Sequence, residues 1–313
     1  MLNKQILVKT LLIISILLSL LSLSIFILPF FFIQLHLEDY LIYILFALLI
    51  TGLTSYFADS KKAMYIAFIF STFMTLYLKT TTNEDFKLPK RNNAFGLKIT
   101  EINLNTVEDI LFLNPIIRDT SINVIVLLHY TPDWNHLIQP VLAKQFPYQS
   151  KLIQLHQHGA ALYTKIPILK SDTLMMGEDP VLNTVLSNHT DTLQILSVTA
   201  TDKINFEGND IKSYMYKDLS NFLSMKSRRT IVAGLFNHTY WSTEIVRLKT
   251  TLQLKNSRRI IYPVITSAPR DFFFYTNDLE CYYFNDFFFK TNIRAGSISG
   301  FQIKQHNSGT SLN

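Results

Sequence analysis

Three long apolar runs dominate the first 80 residues of the chain. The first, residues 10–33, has no charged side chain over its 24 positions, which exceeds the ~20 residues that a helix needs to cross a bilayer. Because no small-residue cleavage site precedes Pro29, the run favours a retained helix over a removed signal peptide. The pattern predicts three transmembrane helices, at about 10–33, 41–57 and 63–78, and the alternative for the two shorter runs is a pair of buried hairpin helices.

The placement of lysine predicts how these helices are oriented. Lys4 and Lys9 precede the first run, Lys61 and Lys62 separate the second run from the third, and the connection at 34–39 has neither Lys nor Arg. Loops that are rich in Lys and Arg stay on the cytoplasmic side of a membrane. We therefore expect the N-terminus inside and everything after residue 78 outside the cytoplasm.

After a polar linker at 81–93, short apolar runs alternate with helical stretches. Thr106, followed by Glu108 and Asp109, predicts the start of a helix. This mixture of strands and helices favours one α/β domain at 94–313, in which two packed mixed β-sheets are flanked by helices in a four-layer sandwich. The predicted strands are 97–104, 124–128, 160–164, 193–199, 230–232 and those across 271–289, and the predicted helices are 133–144, 210–225 and one that begins at Ser242.

Composition narrows the choice of partners. The net charge of +6 is a mild excess that favours anionic partners, and part of it comes from the lysines that orient the helices. Cys281 is the only cysteine, which excludes an intrachain disulfide and a cysteine-cluster zinc site. Proteins that bind nucleic acid interleave aromatic with basic residues, but only Lys290 and Arg294 flank the aromatic run at 272–289. We expect no nucleic-acid partner, and no Walker, Rossmann or serine-hydrolase motif occurs.

The most informative stretch is 230–242, where a buried strand leads into a polar loop and a helix start. Its Gly234-Leu235-Phe236-Asn237 segment, with Trp241-Ser242 behind it, resembles the Gly-Asp-Phe-Asn signature of the endonuclease/exonuclease/phosphatase superfamily, which has the deoxyribonuclease I-like fold. The resemblance implies a membrane-anchored bacterial protein of the inner (cytoplasmic) membrane with its domain outside the cytoplasm. Further matches follow in the family's order at Ile102–Asn105, Thr131–Trp134, Phe146–Tyr148, Gly159–Leu162, Ile166–Ile168, Pro269–Phe272 and Gly296–Ile303.

The resemblance also implies a chemistry from which this chain departs. The family hydrolyses phosphoesters with one or two Mg²⁺ ions held by oxygen ligands. Its central aspartate, which handles the nucleophile's proton, is replaced here by Leu235, and its metal-holding glutamate is replaced by His129. The substituted family positions are His129, Thr199, Leu235, Ser299 and Gly300, and the retained ones are Asn103 or Asn105, Asn237 and Asp271.

Each retained residue also has a purely structural interpretation. Asn237 can cap the turn before the next helix, Asp271 can pair with Arg270 at the surface, and Asn103 can end its strand. An imidazole suits a hard cation poorly, and a single carboxylate is too few to neutralise Mg²⁺. We therefore predict no metal and no cofactor, with Mg²⁺ held in part by His129 and Asp271 if the site is active.

Three functions stay open from the sequence. The first is a catalytically degenerate domain, anchored in the lipid bilayer, that binds a protein, a lipid headgroup or a phosphate-containing ligand. The second is a divergent metal-dependent phosphodiesterase or phosphatase, with a site rebuilt from His129, Asp271, Asn237 and a carboxylate not yet identified. The third is a sensor that signals through the three helices. A transition-metal site is disfavoured because no pair of histidines among His129, His156, His158 and His238 has the spacing of a helical zinc site.

Overall fold

The computed structural model describes residues 2–27, 40–82, 88–92, 96–155, 158–188, 191–200, 211–225, 228–259, 269–289 and 293–304. The chain divides into two compact units. The first unit consists of Met1–Glu84, Thr239–Val246 and Ile260–Pro269, and the second of Asp85–His238, Arg247–Arg259 and Arg270–Asn313. The long apolar helices belong to the first unit and both β-sheets belong to the second.

Three helices form the N-terminal part of the first unit, and each contacts the other two. They are α1 (Leu2–Ile27), α2 (Leu41–Phe57) and α3 (Lys61–Thr81). Small polar residues allow the helices to approach closely, as in membrane bundles. The Ser15 hydroxyl of α1 lies 2.9 Å from the Leu11 carbonyl in its own helix and 3.2 Å from the Ala63 carbonyl of α3.

Two of these helices are long and apolar enough to cross a membrane, by length and composition: α1 over Lys4–Ser24 and α3 over Lys61–Thr81. The remaining helix, α2, has 17 residues, so at 1.5 Å per residue it is about 26 Å long. This length is shorter than the ~30 Å hydrocarbon core of a bilayer. The prediction of three transmembrane helices is therefore supported in part: all three helices form, and two have the character of spans. Residues 28–33 of the first predicted span lie outside the described residues.

The second unit contains twelve strands among the described residues. The strands are β1 (Gly96–Asn103), β2 (Val124–Leu128), β3 (Tyr148–Leu152), β4 (Ala160–Thr164), β5 (Ile168–Met176), β6 (Asp179–Asn188), β7 (Asp191–Thr199), β8 (Thr230–Leu235), β9 (Lys255–Asn256), β10 (Asp271–Tyr275), β11 (Leu279–Phe289) and β12 (Ile293–Ile303). Its helices are α4 (Asn114–Arg118), α5 (Pro132–Leu142) and α6 (Ile211–Ser224), with 3₁₀ helices at Leu104–Thr106 and Ile110–Leu113. The last helix, α7 (Thr243–Leu252), begins in the first unit and ends in the second.

The strands form two mixed six-stranded sheets. The first sheet has the order β11-β12-β1-β2-β4-β3 and the second has the order β5-β6-β7-β8-β10-β9. In each sheet one central pair is parallel, β1 with β2 and β7 with β8, and its neighbours are antiparallel. The predicted α/β sandwich of two mixed sheets with helices is therefore confirmed.

Strand alternation sorts the apolar side chains into layers, because successive residues of a strand point to opposite faces of the sheet. Leu97 and Ile99 of β1 belong to the core between the two sheets, whereas Ile102 belongs to a second core that includes side chains from α4 and α5. On the far side of the second sheet, Tyr216 of α6 stacks on Phe236, with ring centroids 6.3 Å apart. The order of layers is thus helices, sheet, sheet, helix.

The helix predicted from Thr106 begins elsewhere. The Thr106 hydroxyl donates to the Asn103 carbonyl (2.7 Å), which places Thr106 in a 3₁₀ turn instead of at a helix start. The Asp109 carboxylate instead accepts from the Leu111 N–H (3.0 Å) and caps the following 3₁₀ helix. Thr106 and Asp109 are both suitable helix caps, but the Thr106 hydroxyl binds the carbonyl at the end of β1 instead.

Candidate functional site at the rim of the two sheets

The predicted loop after β8 lies at one edge of the sandwich, which we call the rim. Here β1, β2, β7 and β8 end and β10 begins. Asn237 has a left-handed backbone (φ 57°), which asparagine tolerates better than most residues, and its side-chain amide donates to the Ala200 carbonyl after β7 (2.6 Å). Asn237 therefore ties the ends of two parallel strands together. The turn-stabilising role foreseen for it is present, between strands rather than before the next helix.

Three predicted positions lie side by side in the second sheet. Leu235 is the register partner of Thr199 on one side and of Asp271 on the other. Leu235 belongs to the core between the sheets, and the Thr199 hydroxyl is buried without a hydrogen-bond partner among the described residues. An aliphatic side chain thus separates the hydroxyl from the carboxylate. Leu235 can neither bind a cation nor accept a proton.

Two predicted positions meet in the first sheet. Nδ1 of His129 lies 2.7 Å from the side-chain oxygen of Asn103, which also accepts from the Asn105 N–H at 3.1 Å. His129 follows β2 directly and has a left-handed backbone (φ 60°), a conformation that few non-glycine residues adopt and in which asparagine, aspartate and histidine are the most frequent. The local geometry turns the ring toward the end of β1. An imidazole and an amide thus form the first sheet's part of the rim.

Ser299 and Gly300 lie away from these residues. On β12 they are opposite Ile99 and Lys98, four and five residues before Asn103 along β1. That separation is about 13 Å or more at ~3.3 Å per residue. The rim end of β12 is instead its beginning, where Gly296 faces Ile102. Ser299 and Gly300, in the middle of β12, are therefore remote from the rim.

A chain of charged side chains that sequence reasoning missed lies behind the rim. We call Glu101, Asp271, Asp286, Arg258 and Arg294 the charged cluster. Arg294 at the start of β12 contacts the Asp271 carboxylate through Nη1 and the Asp286 carboxylate through Nε (2.7 Å). Arg258 holds the same Asp286 carboxylate with both terminal nitrogens, at 3.1 and 2.7 Å. The expected surface pairing of Asp271 with its neighbour is therefore wrong, because Asp271 is buried and bound to β12.

Glu101 is the most deeply buried member of the charged cluster. It points between the sheets, in the same alternation as Leu97 and Ile99, and it has no exposed surface. Burial, together with the charge of Asp271, raises the pKa of Glu101 well above its ordinary range. The one sequence signal for a buried Glu101 is its spacing from Leu97 and Ile99, which places all three side chains on the same face of β1.

Arg258 and Arg294 lower the pKa of the carboxyl group that they share in the charged cluster. Burial acts to raise the pKa of Asp286, but the guanidinium groups of Arg258 and Arg294 outweigh it and hold that pKa below the ordinary value. Burial acts to lower the pKa of Arg294, and Asp271 and Asp286 together raise it. Arg294 is therefore a permanent cation between two carboxylates.

The donor set at the rim does not fit Mg²⁺. Hard divalent cations take oxygen ligands, mainly carboxylates, but the Asp271 carboxylate is bound to a guanidinium and its neighbours are leucine, imidazole and amides. Among the described residues, no group of three or more His, Cys, Asp or Glu side chains could hold a metal ion. His158 contacts the Thr199 carbonyl (3.3 Å) and Asp179 (3.6 Å), and His156 lies outside the described residues.

Comparison with solved structures identifies the fold. An endonuclease/exonuclease/phosphatase from Bacteroides vulgatus aligns over 67% of this chain and 100% of its own, with 11% identity and a TM-score of 0.54. A family protein from Leptotrichia buccalis aligns over 67% and 100%, with 15% identity and a TM-score of 0.51. TDP2 of D. rerio, solved with a single-strand DNA product, aligns over 66% and 99%, with 10% identity and a TM-score of 0.52.

Sequence comparisons add nothing to this result, since no family model and no curated protein matches the chain. At such low identity a structural likeness establishes the fold and leaves the activity open. The order of strands, the two mixed sheets and the loop after β8 at the rim all agree with the resemblance read from the sequence. This chain has the fold of the endonuclease/exonuclease/phosphatase superfamily.

Proposed function

We propose that this chain is a membrane-anchored binding domain that does not hydrolyse phosphoesters. The observation that carries the proposal is the state of Asp271, the one retained carboxylate at the rim, which is already paired with Arg294. Hydrolysis on this fold needs carboxylates to hold a cation and to take a proton from water. With Leu235 beside Asp271 and His129 across from it, the described rim supplies neither.

Backbone conformation supports a retained binding role. His129 and Asn237 are two of the four non-glycine residues with positive φ in the described part of the chain, and both lie at the rim. Such conformations cost of order 1–3 kcal/mol and concentrate at functional sites. The half-buried side chains of Asn103 and Asn237 offer amide groups there. We infer a ligand with hydrogen-bonding oxygens, either a phosphate group or the surface of a protein.

The arrangement of the first unit supports the membrane anchor and its orientation. Two helices have the length and composition of spans, and one lies near the N-terminus. The Lys4 ammonium contacts the Asp59 carboxylate at 2.8 Å, so the start of α1 and the turn between α2 and α3 share one end of the bundle. Lys61 and Lys62 lie at that same end. By the positive-inside rule this end faces the cytoplasm, and three spans would lead the chain out of the cytoplasm after α3.

A reporter of cytoplasmic location tests the orientation. Fused after Asn313 in the full chain, a reporter that is active only in the cytoplasm should stay silent, and the same reporter fused in the turn at Asp59 should be active. A bright C-terminal fusion would overturn the proposed orientation. Equal signals from both fusions would overturn the membrane anchor itself.

A hydrolysis assay tests the absence of catalysis. The full chain in lipid nanodiscs should show no Mg²⁺- or Mn²⁺-dependent cleavage of nucleic acid, a phospholipid or an aryl phosphodiester above the empty-nanodisc background. Leu235→Asp alone should not restore activity, because catalytic groups that act as a unit are not replaced singly. Metal-dependent turnover that disappears on Asn237→Ala would overturn the proposal and favour a divergent phosphodiesterase.

A binding assay tests the positive part of the proposal. Inorganic phosphate and a soluble glycerophosphodiester serve as probes, and their binding to the full chain is followed by calorimetry without added metal. We expect saturable binding that weakens about tenfold in Asn103→Ala or Asn237→Ala, the effect of losing one hydrogen bond to a charged group. Asn105→Ala, an exposed neighbour, is the matched control. Equal affinity in all four proteins would place the ligand elsewhere.

A further inference from the structure

Part of the linker before β1 is held against the first sheet. We call this part, Leu88–Asn92, the strap. The Gln302 side chain, which is 1% exposed, accepts from the Asn92 N–H at 2.8 Å and donates to the Lys90 carbonyl at 3.0 Å. The side-chain amide of Asn92 donates in turn to the Ile303 carbonyl at 3.2 Å. The strap is therefore bound through its backbone by a buried glutamine of β12.

Arg91, between the two residues that Gln302 binds, lies where glycines leave room for it. Its guanidinium lies over the Tyr282 ring, 5.6 Å from the ring centroid. A Cβ on Gly300 would lie 2.6 Å from that ring, and a Cβ on Gly96 would lie 3.0 Å from Nε of Arg91. Larger residues at these positions of β12 and β1 would therefore compete with the ring and with the arginine for the same space.

The first sheet is adapted to hold the strap. The register of β11 on β12 shifts between Cys281 and Tyr283, and an extra residue of this kind re-aims the side chain of Tyr282. Gly300, which the sequence matched to a position at the rim, serves in the structure to make room for that side chain. The Gln302 amide nitrogen also donates to the Glu280 carboxylate at 3.2 Å, which fixes the orientation of the amide.

The backbone groups that Gln302 binds are the ones that a protease needs. Lys90 and Arg91 have exposed side chains and form a basic pair, which is a cleavage site for proteases specific for Lys and Arg. Extended peptides are recognised through hydrogen bonds of their backbone. The Asn92 N–H belongs to the peptide bond that would be cut after Arg91, and Gln302 occupies it. Cleavage therefore requires the strap to detach.

The strap can detach without unfolding of the domain. A few hydrogen bonds and one ring contact oppose the conformational entropy of the strap residues, and these two contributions are of similar size. Local openings of this kind precede proteolysis, and the rate of cutting follows the population of the open form. The contacts of the strap therefore control how fast the linker is cut.

We propose that the strap protects a proteolytic cleavage site in the linker, and that Gln302 is the residue which keeps the site closed. The reaction is hydrolysis of the peptide bond after Lys90 or Arg91. Water adds to the carbonyl carbon, the C–N bond breaks, and the new amino group takes the proton. This inference holds whether or not the rim binds a ligand, so it stands apart from the proposed function.

Digestion of the full chain in nanodiscs by trypsin tests the proposal. Products are identified by mass spectrometry, and a synthetic peptide of residues 86–97 gives the rate for unprotected bonds. Wild type should be cut after Arg91 about 100 times more slowly than the peptide. Gln302→Ala loses both contacts to the strap backbone and should be cut roughly 10–100 times faster than wild type. Gln149→Ala, which changes an exposed glutamine of the edge strand β3, should be cut at the wild-type rate.

A second cleavage position separates detachment of the strap from loss of folding. Lys98 lies within β1, and the bond after it should stay uncut in every variant. If Gln302→Ala is cut there as fast as after Arg91, Tyr282→Leu provides the test, since it removes only the ring under Arg91. This variant should be cut about three times faster than wild type after Arg91 and not after Lys98.

Three results would overturn the proposal. The first is cleavage of wild type after Arg91 at the rate of the free peptide. The second is an unchanged rate in both Gln302→Ala and Tyr282→Leu. The third is cleavage after Lys98 as fast as after Arg91 in both variants, because the strap would then open only when the whole domain unfolds.

Discussion

The rim and the charged cluster behind it are built from opposite kinds of group. At the rim, the half-buried amides of Asn103 and Asn237 and the buried imidazole of His129 make short hydrogen bonds, such as the 2.7 Å contact between His129 and Asn103. Behind it, ionised groups that are almost fully buried form a chain in which Arg294 links Asp271 to Asp286. In this protein the charge lies inside, where it links the two sheets, and the rim carries amides and an imidazole.

This contrast shows that the place of a charged group in the fold decides what the group can do. Charges that are exposed at a rim can bind a cation or move a proton, whereas charges paired with arginine inside a protein mainly affect stability and pKa values. We therefore expect substitutions in the charged cluster to change stability strongly. Substitutions at the rim should change stability little and ligand binding more.

Asp286→Asn should have the largest effect. Its carboxylate accepts from Arg258 and from Arg294, and breaking a buried pair of this kind costs about 3–5 kcal/mol because it leaves uncompensated charge. The free energy of unfolding of the full chain, measured by urea denaturation, gives the comparison. Asp191→Asn is the control, since its pair with Arg229 is partly exposed and should cost less than about 1 kcal/mol. Equal losses in the two variants would contradict the contrast.

Glu101→Gln should remove a pH dependence. The folded-state pKa of Glu101 is raised above its ordinary value of 4.5, so the folded state holds the proton more tightly than the unfolded state. Its contribution to stability is complete below about pH 4.5, declines as pH rises above that value and is lost through the higher folded-state pKa. Glutamine cannot lose a proton, so the Glu101→Gln variant should be more stable than wild type at neutral pH.

Urea denaturation between pH 4 and 8 measures this difference. The difference in free energy of unfolding between Glu101→Gln and wild type should widen with rising pH. Glu178→Gln, which changes an exposed glutamate of the same unit, should have the same free energy of unfolding as wild type. A constant difference across the range would mean that Glu101 titrates as it does in the unfolded chain. The burial argument would then be wrong.

Asn103→Ala should have the smallest effect on stability. It removes the hydrogen bonds to His129 and to the Asn105 N–H, and each is worth about 1 kcal/mol or less at a half-buried site. Urea denaturation should show a loss of about 1 kcal/mol, with Asn105→Ala as the control. The charged cluster should be unaffected, because Asn103 contacts none of its side chains in the hydrogen bonds that it makes to His129 and Asn105. A loss as large as that of Asp286→Asn would mean that the rim is part of the stabilising core.

Local patterns were sufficient to predict most of the elements. The continuous apolar run at 124–128 and the β-branched run beginning at 230 both form buried strands, because their side chains can be satisfied only between layers of a sandwich. Ser242 caps α7 through the Ile245 N–H (3.4 Å), as its position before a helical stretch predicted. Thr106 failed as a predictor because a hydroxyl has more than one possible partner nearby.

The site was predictable only where the sequence brings residues to a strand end. Asn103, Thr199, Leu235, Asn237 and Asp271 all lie at the rim, since each follows or begins a strand of the sandwich. Ser299 and Gly300 were placed by matching letters along β12, and a strand of eleven residues allows such a match to fall several residues from the rim. Nothing in the local sequence indicates which end of the strand faces the site.

The sequence by itself determined the apolar helices, the alternation of strands and the aliphatic side chain of Leu235 at a strand end, because each depends on residue type and near neighbours. Only the tertiary structure decided what Asp271 does. Arg270 precedes it directly, yet its partner is Arg294, 23 residues away, on a strand of the other sheet. A buried charge pairs with an opposite charge in the same water-excluded part of the interior. The register of β12 on β1 decides that this opposite charge is Arg294.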